Sequence, residues 1–362
     1  MIMKLLITLG LPIALLSSTF VWAQYLPERP TPEQQIEAQR QREVTQPGNN
    51  APVWRDVQSG VPHSTTVRGV ETAVLIQPPA RFPGQESIST AGEAWRLFRN
   101  GPVTFYGGWL VVLTLIAIFG FYFWKGPVRL HRKPTGRLVH RFNIVERAVH
   151  WSTAASFCLL GLTGLIMFFG KHLLLPLLGY TVFSWLATAA KTFHNFIAPL
   201  FIVSVLAMVV LFIKDNFPRR YDLKWFARAW AFMARGEHVP TGRFNAGEKG
   251  WFWFGVVGLS IAVSWSGLVL LFPNFEQTRA VMQDAWVVHA IAALVYIAIS
   301  LGHIYLGTIG VEGAYGNMRT GYTDETWAKE HHEYWYNEVQ SGKRAAPRGA
   351  VPAGAPHMKE ES

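Results

Sequence analysis

Five stretches of this 362-residue chain run apolar over the length a bilayer demands, and polar or basic stretches separate them. The first, YGGWLVVLTLIAIFGFYFW (106 to 124), carries aromatic residues at both ends, as interfacial belts do. The others lie at about 149 to 169, 189 to 213, 251 to 272 and 285 to 309. A helix crossing a ~30 Å hydrocarbon layer needs about 20 residues, so the pattern predicts an all-α membrane bundle with five spans in the mature chain.

The flanks read differently. Lys4 ahead of LLITLGLPIALL, with Val21 and Ala23 before Gln24, reads as a signal peptide over 1–23. From 24 to 100 the chain is rich in Pro, Gln, Arg and Thr without a sustained period, which predicts an exported, loosely ordered arm. An extra transmembrane helix follows over 101–130, then a four-helix domain over 131–320 and a tail over 321–362. From about 310 onward, WAKEHHEYWYNEV reads as an interfacial helix leading into a disordered end. No repeat of the parallel or inverted kind that marks a transporter stands out.

Charge then fixes a direction. The formal net charge is +10, and the basic residues gather in two connections: Lys125, Arg129, Arg132, Lys133, Arg137, Arg141 and Arg147 in one, Lys214 to Lys249 in the other. The alternate connections offer little beyond Lys171 and Arg279, so the mature amino terminus is expected in the periplasm and the carboxyl tail in the cytoplasm. Half the residues are apolar, so this basicity belongs to membrane loops and to contact with lipid, not to a nucleic-acid binder. The single cysteine, Cys158, cannot form an intrachain disulfide or a cysteine-ligated iron–sulfur cluster, and any such cluster belongs to another subunit.

Histidine carries the candidate chemistry. His289 and His303 stand 303 minus 289 = 14 residues apart on the last span, which is just under four turns and about 21 Å on one helix face. Ionisable groups within a membrane are costly and mark function. Sorting by depth pairs His150 with His303 on the inner side and His194 with His289 on the outer side. Two neutral imidazoles from facing helices suit bis-histidine ligation of a haem b, which leaves no open iron position and favours electron transfer. Interhelical hydrogen bonding is the plain alternative. Gly161, Gly164, Gly267, Gly302 and Gly307 would make room for flat macrocycles or serve helix packing. His63, His131, His140, His172, His238, His331, His332 and His357 fall in loops or tails, where a solvated imidazole is expected. Arg141, Arg147 and Arg243 suit haem propionates or positive-inside anchoring alike. In RFNAGEKGWFWF (243 to 254), Asn245, Ala246 and Gly247 either hydrogen-bond a quinone or form an ordinary helix cap, and spacing alone favours the cap.

Taken in order, RFNIVERAVHW, TFHNFIAPL, RYDLKWFARAW, RFNAGEKGWFW, WVVHAIAAL, LGHIYLGTIGVEGAYGNMRTGY and WAKEHHEYWY resemble the cytochrome b gamma subunit of membrane-bound respiratory formate dehydrogenases, from about 141 to 339. The resemblance implies a four-helix core with two haems b in a bacterial inner membrane. His150 and His303 would ligate the inner haem, and His194 and His289 the outer. It also implies a quinone (menaquinone or ubiquinone) site near Asn245, Gly247 and His303. The implied partners are an iron–sulfur beta subunit and a molybdenum or tungsten alpha subunit on which formate is oxidised, the chain itself serving the oxidoreductase by electron transfer and quinone reduction. The leader, the arm and the first span depart from the shorter family members. Competing expectations are the cytochrome b of a nickel–iron hydrogenase or thiosulfate reductase, and, in another class, a haem-free anchor or transporter.

Overall fold

The computed structural model describes residues 91–275 and 277–343, with isolated positions between 31 and 41. The leader, the rest of the arm up to residue 90 and the tail beyond 343 lie outside the described residues. Five helices are long and apolar enough to cross a membrane: Ala94–Lys125, Ile144–Leu173, Leu175–Asn216, Ala246–Leu271 and Arg279–Gly310. They overrun the apolar stretches because their caps lie in polar flanks to which hydropathy is blind. Asn143, Asn245 and Thr278 each accept a backbone N–H of the first turn through the side chain, and Asn143 and Asn245 complete capping boxes with Glu146 and Glu248.

The first span corrects the arm boundary at residue 100. Helix α1 (Ala91–Phe98) runs through a π-helical turn at Arg99–Val103 into α2 (Thr104–Lys125), so the last ten residues assigned to the arm are helical. Pro102 lies inside that turn; proline lacks an N–H and crowds the preceding turn, and a wider turn relieves both problems. Helix α3 (Ile144–Leu173) packs along α4 (Leu175–Phe212), and the fourth span packs along α8 (Arg279–Tyr305). Each pair is pinned by hydroxyls: Ser152 to Ser204 at 2.7 Å, and Ser260 to Tyr296 at 2.9 Å. The first span lies against α8, where a Cβ on Gly107 would come within 2.5 Å of Leu294 Cδ1, so glycine is what permits that approach. Outward faces present Phe123, Trp185, Val210, Ile261 and Trp265, as lipid-facing positions do.

The two hairpins are copies of one another, which corrects the expectation of no repeat. Arg141-Phe142-Asn143 and Glu146 recur as Arg243-Phe244-Asn245 and Glu248, an offset of 243 minus 141 = 102. Thr163-Gly164 recur as Ser266-Gly267, an offset of 267 minus 164 = 103. The extra residue falls where the fourth span widens into a π-helical segment, Phe252–Leu259, between α6 (Ala246–Trp251) and α7 (Ser260–Leu271). A π turn closes over one more residue than an α turn and so absorbs the insertion without shifting the register beyond it.

One end of the bundle is sealed by polar structure. Strand β1 (Leu138–His140) pairs antiparallel with β2 (Tyr322–Asp324), in the register Leu138 with Asp324 and His140 with Tyr322, tying the first basic connection to the tail. Helices α10 (Glu325–His331) and α11 (Glu333–Gln340) continue from β2 and bury Trp335 and Ala328 against Val139. The repeated arginines interlock beneath them: Arg141 donates to the Arg243 carbonyl at 2.8 Å, and Arg243 donates to the Arg141 carbonyl at 2.6 Å. Each then faces the other copy's glutamate, Arg243 to Glu146 at 2.8 Å and Arg141 to Glu248 at 3.4 Å.

This seal overturns the solvated reading of His331 and His332. His332 is fully buried, accepting from Arg141 Nη2 at 2.9 Å and donating from Nδ1 to the Gly242 carbonyl at 2.8 Å, which fixes a neutral tautomer. Burial first, and Arg141 second, hold His332 well below the ordinary histidine value and push His331 down to about 3. Hydropathy missed this because the aromatic residues that bury the imidazoles are spread singly among charged ones.

Candidate haem-binding sites

The structure brings together both sequence-predicted histidine couples. His194 on α4 faces His289 on α8 with ring centres 6.1 Å apart and planes at 72°. His150 on α3 faces His303 on α8 with centres 6.4 Å apart and planes at 59°. Neither couple is a direct hydrogen bond, and the spacing has a simple meaning. A metal–imidazole bond of about 2.0 Å, plus about 1.1 Å from ring centre to nitrogen, puts two imidazoles on one iron roughly 6.2 Å apart. Both couples match that separation.

The ring nitrogens of the first couple are oriented to suit the same purpose. Nδ1 of His289 lies 3.0 Å from the Val263 carbonyl and 3.2 Å from Ser266 Oγ. Nδ1 of His194 lies 2.9 Å from Thr163 Oγ1, with the Leu160 carbonyl as a further partner. Proton and partner at Nδ1 leave Nε2 free to ligate, the arrangement by which outer contacts fix a metal-bound histidine. The repeat explains the likeness. In each hairpin the imidazole reaches the carbonyl four residues before a glycine, Val263 before Gly267 and Leu160 before Gly164, passing over a position without a side chain. A Cβ on Gly267 would meet His289 Cε1 at 3.2 Å, and one on Gly164 would meet His194 Cε1 at 3.5 Å. Thr163 and Ser266 were not singled out from sequence, since a helical hydroxyl commonly bonds its own preceding turn and gives no hydropathy signal.

A cavity of about 430 Å³ opens beside this couple, lined by His194, His289, Gly164 and Gly267 and floored by Phe157, Phe201 and Tyr296. Its walls are overwhelmingly apolar, as a macrocycle requires. At the second couple His150 Nδ1 is buried without a partner among the described residues, an orphan donor or acceptor that a bound group would account for. His303 stacks on Trp251 at 5.2 Å and 18°, and Trp251 in turn meets Tyr296 at 5.7 Å, so an aromatic bridge joins the two sites. A Cβ added at Gly302 would meet nothing within 4 Å, which leaves open space beside His303.

Two paired imidazoles at iron-ligating distance, on two copies of one hairpin, decide the class, and the comparison with known families agrees: residues 141–320 match prokaryotic cytochrome b561. Residues 141–320 belong to that family. A cytochrome b561 core binds haem b, and the chain is a multi-pass bacterial membrane protein. The haem-free reading is thereby set aside. The cytochrome is similar to the nitrate-inducible formate dehydrogenase cytochrome b556 (Fdn) subunit of Escherichia coli K12, 27% identical over 217 residues that make up 57% of this chain and 94% of that one. It is similar to the formate dehydrogenase cytochrome b556 (fdo) subunit of the same organism at 29% over 208 residues, 55% and 92% of the two chains. A formate dehydrogenase cytochrome b556 subunit of Haemophilus influenzae is 24% identical over 209 residues, 55% and 82%.

Other sequence-predicted residues find different work in this cytochrome. Arg141 and Arg243 are consumed by the interlocked seal, and Arg147 donates to the Met318 and Arg319 carbonyls, so none of the three is free for a propionate. Asn245 caps α6, accepting from the Glu248 N–H at 2.9 Å, as spacing favoured. Gly247 lies under Trp225, whose ring would be 2.8 Å from a Cβ there.

Proposed function

We propose that this chain is the membrane cytochrome b, or gamma, subunit of a formate dehydrogenase. It takes electrons from an exported iron–sulfur subunit, itself fed by a molybdenum or tungsten subunit, at the His194–His289 end. It delivers them to a quinone at the His150–His303 end. The observation that carries this reading is the presence of two imidazole couples, at 6.1 and 6.4 Å, at different depths of one bundle. Haem b in such a site supplies one-electron transfer without an open position for oxygen. The chain's own part is to hold each imidazole neutral and oriented, exclude water with apolar walls, and join the sites through Trp251 and Tyr296.

The basic connections orient the assembly. Positive loops are retained in the cytoplasm, which puts the sealed His150–His303 end inside and the His194–His289 end outside. Proton uptake for quinone reduction on the inner side then adds to the membrane potential. Asn245 keeps its side-chain N–H₂ as a donor while Oδ1 serves the cap, so one residue can start the helix and bind a quinone carbonyl. The support for formate as the primary donor is the similarity to three formate dehydrogenase subunits.

Potentiometric titration of the purified complex tests the reading. Two b-type components are expected, with His289→Leu removing one and His303→Leu the other while the remaining component titrates as before. A wild-type spectrum with a single component, or none, overturns the two-haem arrangement. Copurification with a partner that oxidises hydrogen rather than formate overturns the donor.

A further inference from the structure

Among the described residues, the lining of the cavity beside His194 and His289 has two cations, Arg99 and Lys191, and no acidic side chain. Arg99 comes from the first span, outside the region that matches the family. Its guanidinium lies 4.7 Å from the ring centre of Trp286 and 5.4 Å from that of Trp95, resting against two indoles that themselves meet edge to face at 5.6 Å. The placement follows the repeat. Lys191 stands 194 minus 191 = 3 residues before its ligand histidine, and Trp286 stands 289 minus 286 = 3 before its own, so both lie about one turn beyond the imidazoles on the same helical faces. One hairpin thus provides a lysine at that level; the other provides a tryptophan with Arg99 laid on it. The two cations flank the same rim from the two sides on which the two imidazoles stand.

An apolar cavity with paired cations at one edge fits a flat hydrophobic ligand carrying carboxylates along one side. We infer that Arg99, brought in by the extra first span, acts with Lys191 to bind the propionates of the haem held by His194 and His289. This rests on the two-haem reading above. Arg99 is a positioning residue: it touches the periphery of the group, not its iron. The packing of the first span on α8, at Gly107 and Leu294, is what carries Arg99 to the rim. Arg141, Arg147 and Arg243 do not substitute for it, because their guanidiniums are committed to the seal and to the Met318 and Arg319 carbonyls.

The test uses the full chain in its purified complex. A cation beside the propionates favours the reduced, more negative state, so Arg99→Gln and Lys191→Gln should each lower the midpoint potential of the component that His289→Leu removes. The other component should stay put. Redox-difference infrared spectra should show the propionate carboxylate bands move in both variants, with Arg99→Lys close to wild type; a distant charge would shift the potential without moving those bands. Unchanged potential and unchanged bands overturn the inference, as does a shift confined to the His150–His303 component. If the potential holds while the variants lose a copurifying anionic lipid, the cations serve a headgroup and the inference fails. Should Arg99→Gln not accumulate, Lys191→Gln and Arg99→Lys decide by the same readouts. Loss of two-component behaviour in the wild type itself would instead sink the two-haem reading.

Discussion

Gly267 is where the proposed haem site at His194 and His289 is least forgiving. An added Cβ at 3.2 Å from the His289 ring must push it away from the Val263 carbonyl, whereas at Gly164 the 3.5 Å approach to His194 is ordinary contact. Gly267→Ala should therefore lose most of one b-type component, at an overpacking cost of roughly 1–3 kcal/mol, while Gly164→Ala keeps it. Haem content per protein, read spectroscopically, compares the two, and equal retention would contradict the proposed imidazole placement. Asn245 separates two roles in a similar way. Asn245→Asp keeps the cap and removes the amide donor, so it should raise the KM for quinone with little change in stability; Asn245→Ala should also cost about 1 kcal/mol of stability. A wild-type KM in the aspartate variant would reduce Asn245 to a cap. At this scale the four histidines were legible because imidazoles inside apolar helices demand a reason. Their orienting partners were not, because Thr163 and Ser266 satisfy themselves on Leu159 and Ala262 and leave no trace in the pattern.

At the level of elements, the copied hairpins explain why there is one couple at the sealed end. His150 has Phe252 as its counterpart, 150 plus 102, and His303 has Met208, 303 minus 95, the offset that relates His289 to His194. Phe252 and Met208 are buried together in the main apolar cluster, so the symmetry-related position is filled by core. Breaking the interlocked arginines should be severe. Arg243→Met leaves Glu146 buried and uncompensated, and a loss of about 3–5 kcal/mol is expected; Glu146→Gln in the same chain should restore much of it. Thermal unfolding in detergent measures both, and a fully additive double variant would show the pair to be uncoupled. The spans themselves were readable from hydropathy to within a few residues. The repeat escaped that reading because its likeness is confined to a handful of polar and small positions, with an inserted residue between them and freely exchanged apolar residues elsewhere.

For the molecule as a whole, the seal makes one end sensitive to acid. His331 and His332 are neutral when folded and have ordinary values near ~6.5 when unfolded, so below that pH the unfolded chain binds protons the folded one refuses. Stability of the seal is complete above about pH 6.5 and falls as pH falls toward the depressed folded values. Limited proteolysis of the 322–343 segment should quicken between pH 7 and pH 5, and less so in His332→Gln; cleavage independent of pH would contradict the buried neutral pair. This folded tail was the part of the architecture least visible beforehand, since its strands are three residues long and pair across 324 minus 138 = 186 positions.

That distance sets an order of events during synthesis. Strand β2 leaves the ribosome only after all five spans have been made, so β1 waits without its mate while the bundle is being inserted. Until the two strands pair, the end that carries the His150–His303 couple remains uncovered, and a group proposed to bind there would have to enter before the pairing closes it.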